Sequence, residues 1–517
     1  MIARWVKLLI GSLTLGAAQP AEQVDILIRG GTIYTGSDAP FTGDVAVVGD
    51  RIRAVGRRLP HRARKVIDAR GMIVVPGFID PHTHAGEQLT SDDARVRLVP
   101  GFLMQGVTTA FIGNDGGGDP DIRRVLGSDG EKPVGINYAA FVGFGAVRSA
   151  AIGQADRAPR AGELRLMTQT VASAMCQGAL GLSTGLFYAP QSFAETPEVV
   201  TLAREAAVRG GVYDSHIRDE SSYTVGLAAA VDEAIAIGRE AGLPVNISHI
   251  KALGVDVHGQ APAIIARVEA ARAAGQRVTA DQYPWDASGT SLVAALVPRW
   301  AQDGGRAAML RRFDDPSVIS RLRAEMADNL RRRGGAASLL ITQGQHRGRR
   351  LSQVAGRRDP IVAAIAVIRV ADPAVASFNQ TEGDIAAFMA RPWVMTGSDA
   401  SAGHPRASGS FARKYAEYVV RRRVLSLRDF IERSTSLTAD TFGIVDRGRL
   451  RPGAFADVVV FDPRRFAARA TYEQPDLLAT GVRAVLVNGV PAVENGAPTG
   501  AAAGRGLAKT PTPGTCP

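Results

Sequence analysis

Short apolar strands alternate with helical patterns through the middle of this 517-residue chain. A helical pattern precedes each of four predicted strands, GLSTGL, GVYDSHIRDE, LPVNISHIKA and QRVTADQYPW. Counted from VVPGFIDPHTH to WVMTGSDA, with VTTAFIGND, SLLITQG and VASFN included, these nine segments predict a barrel of eight strands. Repeated βα units of this number are typical of an α/β fold, the (β/α)8 barrel of the TIM type.

Both ends of the chain have a different sequence pattern. They contain alternating runs with glycine turns, VDILIRGGTIYTG and DVAVVGDRIRAVG near the beginning, AFADVVVFDP and VRAVLVNGVPAVENG near the end. Such runs predict short antiparallel strands. We therefore expect the two ends to build one small β-sandwich, from residues 19–76 and 446–500, beside a barrel over 77–445.

Two further segments depart from these patterns. Between Asp286 and Ala337 the alternation of strands and helices is interrupted by an Arg-rich segment with helical patterning. This indicates an insertion near the barrel mouth over about 286–337. The residues 501–517 are rich in Ala, Gly, Thr and Pro, and this composition predicts a flexible tail.

The first residues have the features of a secretory signal peptide. Arg4 and Lys7 give a positive start, an apolar core follows, and Gly16-Ala17-Ala18 offers small residues for cleavage. We predict a signal peptide over 1–18 and a bacterial periplasmic or secreted protein. No other apolar run approaches the ~20 residues of a membrane span.

Composition narrows the chemistry. The two cysteines, Cys176 in an apolar helical pattern and Cys516 near the end, suggest neither a disulfide framework nor a thiolate metal cluster. Any metal is therefore expected to be held by histidines and carboxylates. The net charge is +11, but the basic residues are mixed with acidic ones and are not interleaved with aromatics. This favours a solvated basic surface over nucleic-acid binding.

Histidines and carboxylates lie where predicted strands end. In PGFIDPHTHAG, two histidines one residue apart share a side of the chain. The carboxyl ends of barrel strands carry the active sites of barrel enzymes, and imidazole and carboxylate are zinc ligands. The residues at these ends are His82, His84, Asp115, His216, His249 and Asp399.

This arrangement resembles the amidohydrolase superfamily, which has an HxH after strand one, a His after strands five and six, and an Asp after strand eight. From about Val24 to Gly506 the chain is similar to the N-acyl-D-amino-acid deacylases (D-aminoacylases). The similar segments are GVTTAFIGND, GALGLSTGLFYAP, YDSHIRDE, ISHIKALG, ADQYPW and GSDASAGHPR. The resemblance implies zinc-dependent hydrolysis of a small N-acyl-D-amino acid to a carboxylate and a free D-amino acid.

The resemblance also implies roles for individual residues. His216, His249 and the residue at 115 would hold a tightly bound zinc. A second, weak or empty position would be formed by His82, His84 and Asp399. Asp399 would also be the catalytic acid and base, and the residues that orient the substrate would be Tyr188, Lys251 and Tyr283.

Two departures concern the metal. The family has Cys in GNCG where this chain has Asp115 in GNDG, so Asp115 is either a harder ligand or a loop cap with water completing the site. Many amidohydrolases bridge two metals with a carboxylated lysine on the fourth strand. The corresponding text here, GLSTGL, has no lysine, so one strongly held metal is expected.

Two alternatives stay open. The same machinery could act on a dipeptide with a D-residue, a cyclic amide or a lactone. A binding protein on an inactive scaffold is disfavoured because the four histidines and Asp399 are all present.

The preferred D-amino acid depends on the side chains that line the pocket, to which the insertion after Asp286 is expected to contribute. The number of subunits is left open.

Overall fold

A computed structural model describes residues 23–517, apart from the side chains of 128–131. The predicted signal peptide over 1–18 lies outside the described residues. Eight parallel strands form the barrel, which confirms the predicted fold. In chain order they are Phe78–Asp80, Val107–Ile112, Asn137–Ala140 continued by Val142–Gly143, Gly181–Gly185, Val212–His216, Val245–Ile247, Val278–Gln282 and Val394–Thr396.

The barrel closes between the segments that follow its first and last strands. Thr83 and Ala400 form a parallel bridge. The N–H of Asp399 donates to the carbonyl of His82, and the N–H of His84 donates to the carbonyl of Ala400, each at 2.9 Å. Closure therefore brings three of the predicted site residues to the same edge.

Two of the strands counted from sequence lie outside the barrel, and here the prediction was wrong. SLLITQG and VASFN supply Leu339–Ile341 and Ala374–Phe378, which form a separate antiparallel sheet with Ala287–Ser291. The text NYAAFVG, omitted from the count, supplies the third barrel strand. A short apolar strand has the same composition in either sheet, so periodicity alone could not separate them. The insertion consequently continues past residue 337, as far as the helix Glu382–Met389.

The helices connect and surround these strands. Those of the barrel are Gly86–Leu89, Ala94–Arg97, Pro100–Leu103, Ile122–Glu131, Phe144–Ile152, Ala161–Cys176, Gln191–Phe193, Thr196–Val208, Leu227–Ala241, Ala261–Ala273, Glu382–Met389, Arg406–Arg413, the π-helical Lys414–Arg421, Leu427–Arg433 and Ser436–Phe442. Those of the insertion are Leu292–Leu296, Arg299–Gln302, Gly305–Arg312, Ile319–Arg332, Gly344–His346, Leu351–Ala355 and Pro360–Val370. Within residues 23–517, none of them is long and apolar enough to cross a membrane.

The helix Leu227–Ala241 shows how the sequence produces this packing. Its buried residues include Leu227, Ala230, Val231 and Ala234, at the three- and four-residue spacing of one helix face. Gly238 has no Cβ, and a Cβ at that position would lie 2.0 Å from Val245 of the next barrel strand. The helix can therefore lie directly against the strand that leads to His249.

Both ends of the chain form one β domain, as predicted. Val458–Phe461 pairs antiparallel with Ile73–Pro76 and joins the two parts. The strands of this nine-stranded sheet are Gln23–Ile33, Phe41–Val48, Arg51–Gly56, Arg62–Asp68, Ile73–Pro76, Val458–Phe461, Val482–Val487, Val490–Glu494 and Ala497–Pro498. Only Gly77 separates this domain from the first barrel strand, so the sheet fixes where that strand begins.

The C-terminal segment packs against the amino-terminal end of the barrel. Cys516 forms a disulfide with Cys176, with a Cα–Cα distance of 5.7 Å, so the expectation of unpaired cysteines was wrong. They are 340 residues apart, and nothing local in the sequence indicates that they meet. The predicted flexible tail is held at several points: Leu507 donates a backbone hydrogen bond to Tyr138 at 2.8 Å, and Lys509 to Gly178 at 2.9 Å.

Candidate active site

The six predicted strand-end residues meet at the carboxyl end of the barrel. His82 and His84 follow the first strand, Asp115 follows the second, and His216 is the last residue of the fifth. The other two, His249 and Asp399, follow the sixth and eighth strands. All are buried or nearly so except His84, whose side chain is 39% exposed.

Asp115 lies at the centre of this group. Its Oδ1 is 3.4 Å from Nε2 of His82 and 3.6 Å from Nε2 of His249. Its Oδ2 is 3.5 Å from Nε2 of His84 and 3.7 Å from Nδ1 of His216. One carboxylate thus faces four imidazoles, and it belongs to two of the three compact trios of potential ligands among the described residues, with His82 and His84 and with His216 and His249.

The backbone is strained at three of these residues. Asp115 has φ 56°, His249 has φ 37° and Asp399 has φ 49°. Left-handed backbone is uncommon for residues with a side chain, and strain of this kind is concentrated at functional sites. The loop at 115 is held by hydrogen bonds to its backbone, from Gln191 to the Asp115 carbonyl at 2.9 Å and from Gly116 to Ser183 at 3.1 Å.

Several atoms that point into this centre have no hydrogen-bond partner among the described residues. They include Nε2 of His82, Nδ1 of His216 and Oδ1 of Asp115, all buried. Buried polar atoms in folded proteins almost always have partners. Imidazole nitrogens and carboxylate oxygens that converge without partners fit a divalent metal such as zinc.

Electrostatics favour a cation here. Burial alone would lower the pKa of His82, but the carboxylates of Asp115, Asp281 and Asp399 raise that pKa to about 10. Burial would raise the pKa of Asp115, yet His82 and His216 hold it well below its ordinary value. The centre therefore stabilises positive charge next to a carboxylate that stays ionised.

Glu220 supports the histidines from behind. Its Oε1 lies 3.1 Å from Nδ1 of His249 and accepts a hydrogen bond from Lys251, and its Oε2 lies 3.9 Å from Nε2 of His216. Arg218, Asp219 and Glu220 all follow His216 in the sequence. Arg218 instead pairs with Glu233, and Asp219 accepts backbone hydrogen bonds from the loop that follows it, so Glu220 alone contacts the histidines.

Asp399 is held between a histidine and an arginine. Its Oδ1 lies 3.1 Å from Nε2 of His84, and its Oδ2 lies 2.6 Å from Nη1 of Arg406. Although burial alone would raise the pKa of Asp399, Arg406 and His84 hold it well below its ordinary value. Sequence reasoning missed Arg406. The only signal was its place in GHPR, two residues after His404, whose Nδ1 accepts the Arg406 N–H at 3.2 Å.

A cavity of about 330 Å³ opens beside these residues, and its lining includes Tyr188 and Lys251, two of the residues that we expect to orient the substrate. The ring of Tyr188 lies 4.7 Å from that of His216. Tyr283 is placed differently. It is buried outside the cavity lining, its hydroxyl accepts a hydrogen bond from Gln380 at 3.1 Å, and its ring packs against Arg406. It can therefore support the cationic residues more readily than contact a substrate.

Comparison with known proteins agrees with this fold. The model of the Amidohydrolase family matches residues 65–128 and 212–493, which include His82, His84, His216, His249 and Asp399. The chain belongs to the amidohydrolase family.

Several proteins similar to this chain identify its group within the family. The chain is 33% identical to a D-aminoacylase of Alcaligenes xylosoxydans xylosoxydans, over 95% of this chain and 99% of the relative. It is 34% identical to an N-acyl-D-glutamate deacylase of the same organism, over 90% and 93%. A crystal structure of N-acyl-D-glutamate deacylase from Bordetella bronchiseptica, in complex with zinc and a phosphonate mimic of the tetrahedral intermediate, matches with a TM-score of 0.81 and 32% identity, over 94% of this chain and 100% of that one. Within the amidohydrolases, the chain is a member of the D-aminoacylase group.

Proposed function

We propose that this protein hydrolyses the amide bond of N-acyl-D-amino acids, with zinc, to a carboxylate and a free D-amino acid. The observation that carries this proposal is the convergence of four imidazoles on Asp115, beside an ionised Asp399 and a cavity lined by Lys251. The D-aminoacylase and N-acyl-D-glutamate deacylase relatives support the same reaction class.

The donor set allows two adjacent metal positions. His216, His249 and Asp115 would hold the more tightly bound zinc, and His82, His84 and Asp399 would form a weaker second position. When bound, zinc polarises a carbonyl and lowers the pKa of water toward ~7, which provides a nucleophile at neutral pH. Asp115 also forms a compact trio with His82 and His84, so its carboxylate lies within reach of the second position as well.

Asp399 is the proposed acid and base. It is ionised, faces the cavity, and has one oxygen beside His84 and the other beside Arg406. It can accept a proton from the attacking water and return it to the leaving nitrogen, so that the water is divided between the two products. Arg406 fixes the orientation of the carboxylate through these steps.

Two further residues would position the substrate. Burial raises the pKa of Tyr188, so its hydroxyl stays protonated and can donate a hydrogen bond to the acyl carbonyl oxygen. Lys251 lines the cavity and would hold the α-carboxylate of the substrate. A fixed α-carboxylate and a fixed carbonyl leave one direction for the side chain, and this is how the site would select one enantiomer.

Incubation with enantiomeric substrates tests the proposal. The zinc-loaded protein should release free amine from N-acetyl-D-amino acids and not from the L-enantiomers, and chelation should abolish the release. A dipeptide with a C-terminal D-residue, a cyclic amide and a lactone are the comparison substrates. Turnover of one of these, with none of any N-acetyl-D-amino acid, would replace the proposed substrate class.

We also propose export to the periplasm or the cell exterior. The signal-like sequence over 1–18 supports this, as does the Cys176–Cys516 disulfide, because disulfides persist mainly in oxidising compartments. Fractionation of the native host and sequencing of the mature N-terminus test it. A full-length protein retained in the cytoplasm would contradict it.

A further inference from the structure

The insertion between the seventh barrel strand and Glu382 builds one wall of the catalytic cavity. It contributes Ser288–Ser291, Ala294, Arg333, Thr342, Ala374 and Val375. Apart from Arg333, these residues are small or carry hydroxyl groups. One guanidinium in a wall of small side chains leaves room for a ligand group beside it.

Arg333 is buried without a counter-charge. It is 1% exposed, its Nη1 donates to Ser377 at 3.0 Å, and its Nε has no hydrogen-bond partner among the described residues. None of the described carboxylates lies within ion-pair distance of it, although the other two cations of the cavity have such partners: Lys251 pairs with Glu220, and Arg406 with Asp399. An arginine cannot shed its proton, so it retains an uncompensated charge.

The partly buried Arg299 adds a second guanidinium behind this wall. Arg299 lies 3.8 Å over the ring of Phe187, which also lines the cavity. Burial and the neighbouring Arg333 lower the pKa of Arg299 to about 10. Two guanidinium groups that repel each other make this wall a favourable place for an anion.

Arg333 lies next to the segment that carries Lys251. The N–H of Val255 donates to the carbonyl of Arg332 at 3.0 Å, and Gly254 approaches the same carbonyl so closely that a Cβ would lie 2.2 Å from it. Arg333 therefore lies on the side of the cavity where the α-carboxylate would bind. The substrate side chain branches from the carbon next to that carboxylate.

We propose that Arg333 binds a carboxylate on the substrate's side chain, so that the preferred substrates are N-acyl derivatives of acidic D-amino acids. This rests on the proposed function and adds the substrate class. The guanidinium can pair with a carboxylate through two parallel hydrogen bonds. A neutral side chain would leave the buried charge unpaired, which disfavours its binding.

The test compares N-acetyl-D-glutamate with its neutral isostere N-acetyl-D-glutamine on the zinc-loaded full chain. We expect kcat/KM to favour the glutamate by at least about tenfold. In Arg333→Met the preference should disappear through KM, while kcat/KM for the glutamine stays within about threefold. Arg333→Lys should retain part of the preference. Free D-glutamate should likewise inhibit the wild type more strongly than D-glutamine.

Arg332→Met is the matched control, since Arg332 is the adjacent arginine, lies outside the cavity lining and pairs with Asp328. It should leave the preference unchanged. An equal loss on every substrate in Arg333→Met, or no preference in the wild type, would overturn the proposal. The protein could instead prefer N-succinyl-D-leucine over N-acetyl-D-leucine and show no preference for glutamate over glutamine. That result would mean that Arg333 binds a carboxylate of the acyl group and not of the side chain, and it would overturn the proposal too. Failure of every D-substrate would instead refute the proposed function.

Discussion

The carboxylate of Glu220 lies 3.1 Å from Nδ1 of His249. Nζ of Lys251 lies 2.8 Å from the same Nδ1 and donates to this carboxylate, so Glu220 fixes the ammonium against the ring whose Nε2 faces Asp115. Histidine ligands of metals are commonly oriented by such a partner. Glu220 thus connects the proposed metal ligand to Lys251, the proposed carboxylate-binding residue, through one hydrogen-bonded group.

Glu220→Gln should weaken zinc binding by about 10- to 100-fold, because the amide lacks the negative charge that pairs with Lys251 and faces the rings of His249 and His216. Competition with a chelator of known affinity measures the change. Glu233→Gln serves as control, since Glu233 pairs with Arg218 and not with a histidine of the site. Equal zinc affinity in both variants would show that Glu220 does not orient His249.

Asp115→Asn tests whether the central carboxylate is a ligand or a loop cap. Asparagine tolerates the left-handed backbone at φ 56°, so the loop should keep its conformation while the charge is lost. We expect zinc affinity to fall by at least about tenfold, measured by metal analysis after dialysis. Asp115→Cys should restore tight binding with a softer ligand. Zinc retention by the Asn variant at the wild-type level would assign the loop-cap role.

Asp399→Asn should lower kcat by about 10²- to 10⁴-fold, because the amide can neither accept nor return the proton. The tightly bound zinc should be retained, since its proposed ligands are His216, His249 and Asp115. Steady-state kinetics and zinc content, measured on the same preparation, separate the two effects. Substantial residual turnover would remove Asp399 from the acid and base role.

Lys414→Met should stabilise the protein. Lys414 is fully buried, and its Nζ has no hydrogen-bond partner among the described residues. Burial and the nearby Arg433 lower the pKa of Lys414 well below its ordinary value, with Asp281 opposing them. Removing an unsatisfied buried amine should stabilise the fold by about 1–3 kcal/mol, seen as a higher thermal midpoint.

The pH dependence has a definite sign. Between the lowered pKa and about 10.5, the unfolded chain takes up a proton at Lys414 that the folded chain does not, so wild-type stability rises with pH. The gain in Lys414→Met should therefore be larger at pH 7 than at pH 9. The surface variant Lys132→Met should change the stability by less than about 0.5 kcal/mol. A lower midpoint for Lys414→Met would show that the amine has a stabilising partner.

The sequence indicated those parts of the site that follow local rules. The HxH of His82 and His84, and the residues that follow strands, could be found because parallel strands present their carboxyl ends together. Arg406 could not, because it contacts Asp399 through the packing of a helix that has no distinguishing spacing. The centrality of Asp115 was also hidden, since it depends on a left-handed backbone held by Gln191 from another loop.

The same dependence on tertiary packing explains the errors in the predicted fold. The strand Ala374–Phe378 of the insertion has the composition of a barrel strand, and only its antiparallel partners distinguish it. The role proposed for Arg333 depends likewise on the absence of a nearby carboxylate, which is a property of tertiary packing. The residue types predicted the chemistry of the site. Which charged groups pair with one another could be identified only from the folded structure.

The bond between Cys176 and Cys516 makes everything between them a covalent ring. His216, His249, Asp399 and the whole insertion lie inside the ring, whereas His82, His84 and Asp115 lie on the free arm that precedes it. A protease that cuts once anywhere inside the ring opens it without releasing a fragment. A cut on the arm between Asp115 and Cys176 instead divides the proposed metal ligands between two separate polypeptides.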